Sequence, residues 1–250
     1  MFTDRRASSL ATRRIKQPWP EKKPFKILSL DGGGIKGIFT AELLRRCEQM
    51  FCDGKPLASY FDMIAGTSTG GIIALGLGAH FSTNEIVSFY EKDGRKIFPP
   101  VPAGKWSKLR QLLRWASKTK LQHEELEIAL KSRFQERLLG DSHARLVVPA
   151  FMMPRTEIAV FKTDHHKDFR KDHLTPMWKV ARSTSAAPTF LKGMEDEDSG
   201  KIFIDGGVWA NNPVMVALVD AMTDYDISFE QIEVLSIGTG NQPFELSKKE

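Results

Sequence analysis

Phe25-Lys26-Ile27-Leu28-Ser29-Leu30-Asp31-Gly32-Gly33-Gly34-Ile35-Lys36-Gly37 is an apolar run that breaks into glycines, after which Ile38 to Phe51 carries apolar residues at helical spacing. The pattern predicts a strand, a glycine turn and a helix. Tyr60 to Ala65 starts the same sequence of events, running into Gly66-Thr67-Ser68-Thr69-Gly70-Gly71 and the apolar segment Ile72 to Leu77. Two strand-turn-helix units in succession point to an α/β fold with a central, mainly parallel sheet flanked by helices.

Working outward, Ser82 with Glu85 fits a capping box opening a helix to Lys92, and His123 to Leu139 reads as an amphipathic helix. Leu146 to Phe151, Glu157 to Thr163, Lys201 to Ile204 and Glu233 to Ile237 are short and rich in β-branched or aromatic residues, as strands are. Asn212-Pro213 starts a helix through Val214 to Met222, Asn as cap and Pro at the first helical position. Lys105 to Lys120 holds six basic residues and no acid, interleaved with Trp106, Leu109, Leu112, Leu113 and Trp115. That composition suits a helix lying on anionic lipid, although a lid or surface helix whose apolar face packs on the core is the more ordinary reading.

The chain has 250 residues, 41% of them hydrophobic, enough for one domain with a sizeable core. Residues 1–24 contain seven Lys/Arg and two Asp/Glu, which already equals the net charge of +5. We expect a basic N-terminal arm over 1–24 and a catalytic domain over 25–250. The arm reads as a solvated tail or as a patch for anionic surfaces. No DNA- or RNA-binding signature accompanies it, so nucleic acid is not an expected partner. No apolar run reaches bilayer length and no secretory signal opens the chain, so a soluble, cytoplasmic protein is expected. Cys47 and Cys52 lack the spacing of a zinc site and read as reduced thiols.

Gly66-x-Ser68-x-Gly70 between a strand and a helix is the setting of a nucleophile elbow, in which flanking glycines permit a turn that exposes a serine hydroxyl. Acyl transfer also needs donors for the developing oxyanion, and Gly32 to Gly37 offers backbone amides at a helix N-terminus. The same loop satisfies G-x-G-x-x-G, so a nucleotide-binding protein using Gly32–Gly37 is the alternative reading. It wants an acid at the end of a second strand, whereas Asp53 sits in a turn-like Cys-Asp-Gly. A Walker loop fails because Gly37, not Ser or Thr, follows Lys36.

The serine needs a base. In α/β-hydrolases the triad histidine comes last, yet none of the six histidines follows Asp205, so a triad would need an earlier acid, such as Asp164 with His173. His165 and His166 lie in a charged stretch and are expected to be solvated. Asp205-Gly206-Gly207, an acid leaving a strand, supplies an alternative base, or else an ordinary turn.

Asp31-Gly32-Gly33-Gly34-x-x-Gly37, Gly66-x-Ser68-x-Gly70, the block Ala181-Arg182-Ser183-Thr184-Ser185-Ala186-Ala187-Pro188-Thr189-Phe190, and Asp205-Gly206-Gly207 with Asn211-Asn212-Pro213 occur in an order that closely resembles the patatin-like phospholipases. The similarity covers about residues 25–240. It implies a three-layer architecture and a Ser-Asp dyad without histidine. Ser68 would be the nucleophile, Asp205 the base, and Gly32, Gly33, Gly34 and Lys36 the oxyanion loop. Gly66 and Gly70 would shape the elbow. The activity implied is phospholipase A-type cleavage of fatty acyl esters through an acyl-enzyme, with no metal or cofactor. Peripheral contact with the inner face of the membrane goes with that substrate. Compact bacterial enzymes of this kind include antiphage effectors switched on by cyclic dinucleotides, which makes a cyclic dinucleotide a candidate activator.

Overall fold

The computed structural model describes residues 14–97, 123–188, 190–197 and 199–240. The basic stretch Lys105–Lys120 and residues 1–13 of the arm lie outside the described residues. Strand β1 (Phe25–Leu30) is buried except for half-buried Lys26, because it is paired on both edges. Its neighbours are β2 (Met63–Gly66), with Ile27 opposite Met63, and β7 (Ile232–Ile237), with Ile27 opposite Val234. β2 pairs in parallel with β3 (Arg145–Met153), which also takes β4 (Glu157–Lys162) and β6 (Lys201–Asp205) antiparallel. β5 (Met194–Asp196) closes that side, giving a seven-stranded sheet of order β5-β6-β3-β2-β1-β7, with β4 off the path on β3. The parallel expectation holds across β3-β2-β1-β7, and the other flank is antiparallel.

Side chains alternate across these strands and divide the core in two. Leu28, Leu30, Ile64, Leu146 and Val148 face helices α1 (Gly37–Phe51), α2 (Thr69–Gly78) and α3 (Thr83–Lys92). Phe25, Ile27, Met63, Ala65 and Val147 face Ala217 and Ala221 of α8 (Val214–Asp224) on the opposite side. The sheet is therefore sandwiched between helical layers, each fully buried Leu or Ile contributing roughly 1.5–3 kcal/mol. Every residue of α2 is buried, consistent with a sequence that is apolar all round. Short α4 (Gly94–Ile97), α5 (described over 123–134), α6 (Met177–Thr184) and α7 (Gly207–Ala210) complete the helices.

Several expected boundaries move for local reasons. The second strand starts at Met63 rather than Tyr60, because Pro56 opens a 3-10 turn over Leu57–Tyr60. α5 stops at residue 134, where Gln135 takes φ 52° and Leu138 bridges to Pro176. The Ser82 capping box forms, with Glu85 returning to the Ser82 amide at 2.8 Å. α8 begins at Val214 with Pro213 as its N-cap, one residue later than expected, and Asn212 Oδ1 accepts the Val214 amide at 3.1 Å.

The described part of the arm lies on the core. Gln17 exchanges backbone bonds with Asp224 and Asp226, and Trp19 packs its ring against Phe25 and Tyr225. No described helix is long and apolar enough to cross a membrane.

Candidate active site

β2 ends at Gly66 and α2 begins at Thr69, so two residues make the whole connection. Ser68 takes up the turn at φ 55°, ψ −122°, a conformation that costs a non-glycine residue about 1–3 kcal/mol. The neighbours hold it there. Thr67 donates its amide to Leu30 O (3.1 Å) and its hydroxyl to Ala210 O (2.7 Å), while the Ser68 amide donates to Thr184 Oγ1 (3.0 Å). The glycines are needed for close approach. A β-carbon on Gly66 would lie 2.2 Å from Gly70 O, and one on Gly70 would lie 2.2 Å from Leu30 O.

Asp205 closes β6 opposite Ala150 and is 5% exposed. Ser68 Oγ donates to its Oδ2 at 2.6 Å, and the Gly207 amide donates to its Oδ1 at 2.6 Å. Burial raises the carboxyl above the ordinary aspartate range, against the opposing pull of these two bonds. A carboxylate so placed is ionisable but poorly solvated, which makes it a stronger base than an exposed aspartate.

The glycine loop abuts this pair: a β-carbon on Gly32 would come 3.2 Å from Ser68 Cβ. The Gly32 amide is already given to Asn211 O (3.0 Å), and the Lys36 amide to Gly33 O (3.2 Å). Among the described residues the Gly33 and Gly34 amides have no acceptor, and Gly34 adopts φ 58° at the head of the 3-10 turn Gly34–Lys36. Half-buried Lys36 is the N-cap of α1. Asn212 braces the loop from outside, bonding Asp31 Oδ1 (2.8 Å) and Ser236 Oγ (3.1 Å). The bracing roles of Asn211, Asn212 and Thr184 were not read from the sequence. The Asn-Asn-Pro motif and the Ser-Thr-Ser-Ala-Ala-Pro block were visible, but as short strings they carry no partner information.

The nucleotide alternative finds no support in the geometry, since Asp53 is exposed in the turn after α1 rather than at a strand end. Neither Ser68 nor Asp205 bonds a histidine. Among the described residues, exposed Asp164 is not a partner of half-buried His173, whose Nδ1 accepts and donates no bond. The expected solvation of His165 and His166 is wrong. Their side chains are 3% and 0% exposed, because α8 and residues 14–19 fold over them. His165 Nε2 bonds Asp220 Oδ2 (2.8 Å) and its Nδ1 meets Thr163 Oγ1 (2.8 Å). Among the described residues, His165, Asp220 and Asp224 form the one group with the composition of a metal site. Cations of the chain already serve it, Lys162 on Asp220 and Arg14 on Asp224.

The comparisons with known proteins give the family and the fold of this chain. The family model of the patatin-like phospholipases matches residues 28–218. The chain is 32% identical over 239 residues to a protein of Escherichia coli named cGAMP-activated phospholipase, covering 91% of this chain and 65% of that protein. It is 36% identical over 216 residues to one of the same name from Pseudomonas aeruginosa, covering 86% of this chain and 62% of that one. It thus spans somewhat under two thirds of the length of both. Among solved structures, VipD from Legionella pneumophila shares the fold with a TM-score of 0.50 and 14% identity, over 86% of this chain and 50% of that one. With the family's region spanning β1 to α8 and including both Ser68 and Asp205, the chain belongs to the patatin-like phospholipase family.

Proposed function

We propose that this protein is a serine lipid acyl hydrolase of phospholipase A type, with Ser68 as nucleophile and Asp205 as base. The observation that carries the reading is the 2.6 Å bond from Ser68 Oγ to a buried carboxylate beside a glycine loop with two uncommitted amides. Asp205 Oδ2 takes the hydroxyl proton as Oγ attacks the ester carbonyl carbon. The tetrahedral oxyanion is held by the Gly33 and Gly34 amides, aided by the positive end of α1 and the charge of Lys36. Collapse breaks the ester C–O bond, Asp205 returns the proton to the leaving alcohol oxygen, and lysophospholipid departs. Water, deprotonated by Asp205, then attacks the acyl carbonyl carbon, the bond from that carbon to Ser68 Oγ breaks, and Asp205 returns the proton to Oγ, which releases fatty acid and free Ser68. Every step uses side chains and amides of this chain.

The substrate is an acyl lipid presented at a membrane, which the protein meets peripherally from the cytoplasmic side. The name shared by the Escherichia coli and Pseudomonas aeruginosa relatives supports a cyclic dinucleotide as activator, and with it a part in antiviral defence. Fatty acid release from phosphatidylglycerol vesicles, with and without cGAMP, tests the activity. Ser68→Ala and Asp205→Asn are each expected to lower release by at least about a thousandfold while the protein stays folded. Mapping of a fluorophosphonate adduct should find it on Ser68, and an adduct elsewhere overturns the assignment.

A further inference from the structure

One motif has no part in the chemistry just described: the block Ser183-Thr184-Ser185-Ala186, which connects the end of α6 to the region before β5. It carries no charge and Thr184 is 0% exposed, so it touches neither solvent nor substrate directly. Its bonds converge on the dyad from two sides. The Thr184 hydroxyl donates to Pro149 O at 2.6 Å and accepts the Ser68 amide at 3.0 Å. The Thr184 carbonyl accepts the Gly206 amide at 3.2 Å, and the Ala186 carbonyl accepts the Asp205 amide at 3.0 Å. The Thr184 methyl leaves no room for a side chain at Gly71 of α2, where a β-carbon would meet it at 2.8 Å.

We infer that Thr184 is the positioning residue of the active site, a single side chain that sets the backbone of Ser68 relative to that of Asp205. The inference rests on the Ser-Asp reading above. Two physical points carry it. Ser68 is held in an unfavourable backbone conformation, which persists only where surrounding bonds over-determine it, and the Thr184 hydroxyl is the partner of its amide. The hydroxyl also ties that amide to Pro149 of β3, one residue before the Ala150 that registers with Asp205. The nucleophile turn is thereby referenced to the strand that sets the height of the base. A further consequence concerns the oxyanion: since its amide is already engaged, Ser68 does not donate to the substrate oxygen. That leaves the task to the glycine loop.

The hydroxyl, not the bulk, is the operative group. Thr184→Val keeps the volume and leaves the Ser68 amide and the Pro149 carbonyl without their partner, whereas Thr184→Ser keeps the hydroxyl and removes the methyl. Steady-state hydrolysis of p-nitrophenyl butyrate by the full chain gives kcat and KM separately, without a membrane step. For Thr184→Val we expect kcat to fall about a hundredfold, the loss that a small misplacement of reacting groups produces, with KM little changed. The rate of fluorophosphonate labelling of Ser68 should fall in parallel, and Thr184→Ser should recover most of both. A folded Thr184→Val with the kcat of the parent overturns the inference. So does a Thr184→Ser variant as impaired as Thr184→Val, because the methyl would then be what matters. If Thr184→Val does not fold, Thr184→Cys replaces it with the same criteria, its thiol being a weak partner of similar size. Ser68→Ala and Asp205→Asn run alongside: activity in either would defeat the dyad itself, a result distinct from a failure confined to position 184.

Discussion

The hydroxyl of Ser68 and the carboxylate of Asp205 are 137 residues apart in the chain and 2.6 Å apart in space. Burial holds the Asp205 proton more tightly than in an exposed aspartate, so the base is ionised only above the usual carboxylate range. The acid limb of kcat should accordingly fall at a pH above the ordinary value of 3.8, and initial rates from pH 4 to 8 locate it. A limb at or below 3.8 contradicts the assigned base.

The same shift has a sign for stability. A carboxyl whose folded pKa is raised binds its proton better when folded, so its contribution to stability falls as pH rises from 3.8 through the folded value. Asp205→Asn removes that loss, and near neutral pH its Tm is expected to match or exceed that of the parent. A large drop in Tm would mean that the carboxylate is a structural support.

Gly70 packs against the Leu30 carbonyl with no space for a β-carbon, which would lie 2.2 Å from Leu30 O. Because backbone rather than a flexible side chain is in the way, Gly70→Ala is expected to destabilise the fold by about 3 kcal/mol. Urea denaturation monitored by tryptophan fluorescence measures it. A cost under 1 kcal/mol would show that β1 and the elbow can separate freely.

Arg14 binds Asp224, whose carboxylate is fully buried while the guanidinium is 28% exposed. Removing the arginine leaves a buried charge short of a partner, so Arg14→Ala is expected to cost about 2 kcal/mol at pH 7. The cost should shrink on acidification, since burial already raises Asp224 and protonation abolishes the unpaired charge. Denaturation midpoints at pH 7 and pH 4.5 separate this from a simple loss of contact.

Arg182 is fully buried on α6, donates to Lys192 O, and has Glu127 of α5 as its counter-ion at 3.4 Å, while its Nη1 has no hydrogen-bond partner among the described residues. Glu127→Gln is expected to destabilise by about 2 kcal/mol, more than an exposed ion pair of the same length, because the cation cannot retreat to water. Hydrogen exchange should then show faster opening of α5.

What could be read along the chain was whatever a short window encodes. The strand, glycine turn and helix at residues 25–51, the elbow at 66–70 and the capping box at Ser82 each depend on residues within a few positions, because glycine, cap and periodicity act locally. Relations at long range were barely legible: Asp205 stood as one candidate base among turn-like acids, and the resemblance among four ordered motifs favoured it without supplying its reach. Tertiary structure decided the rest. It buried His165 and His166, which sit in a charged segment and looked solvated, because α8 supplies Asp220 more than fifty residues later. It withdrew the Gly32 amide from the loop's free donors by giving it to Asn211, and it made Thr184 the tie between Ser68 and Pro149. Hydrogen bonds are paired by geometry rather than by sequence distance. Composition and spacing therefore determined which residues could act, and packing of the sheet between its helical layers decided which of them met.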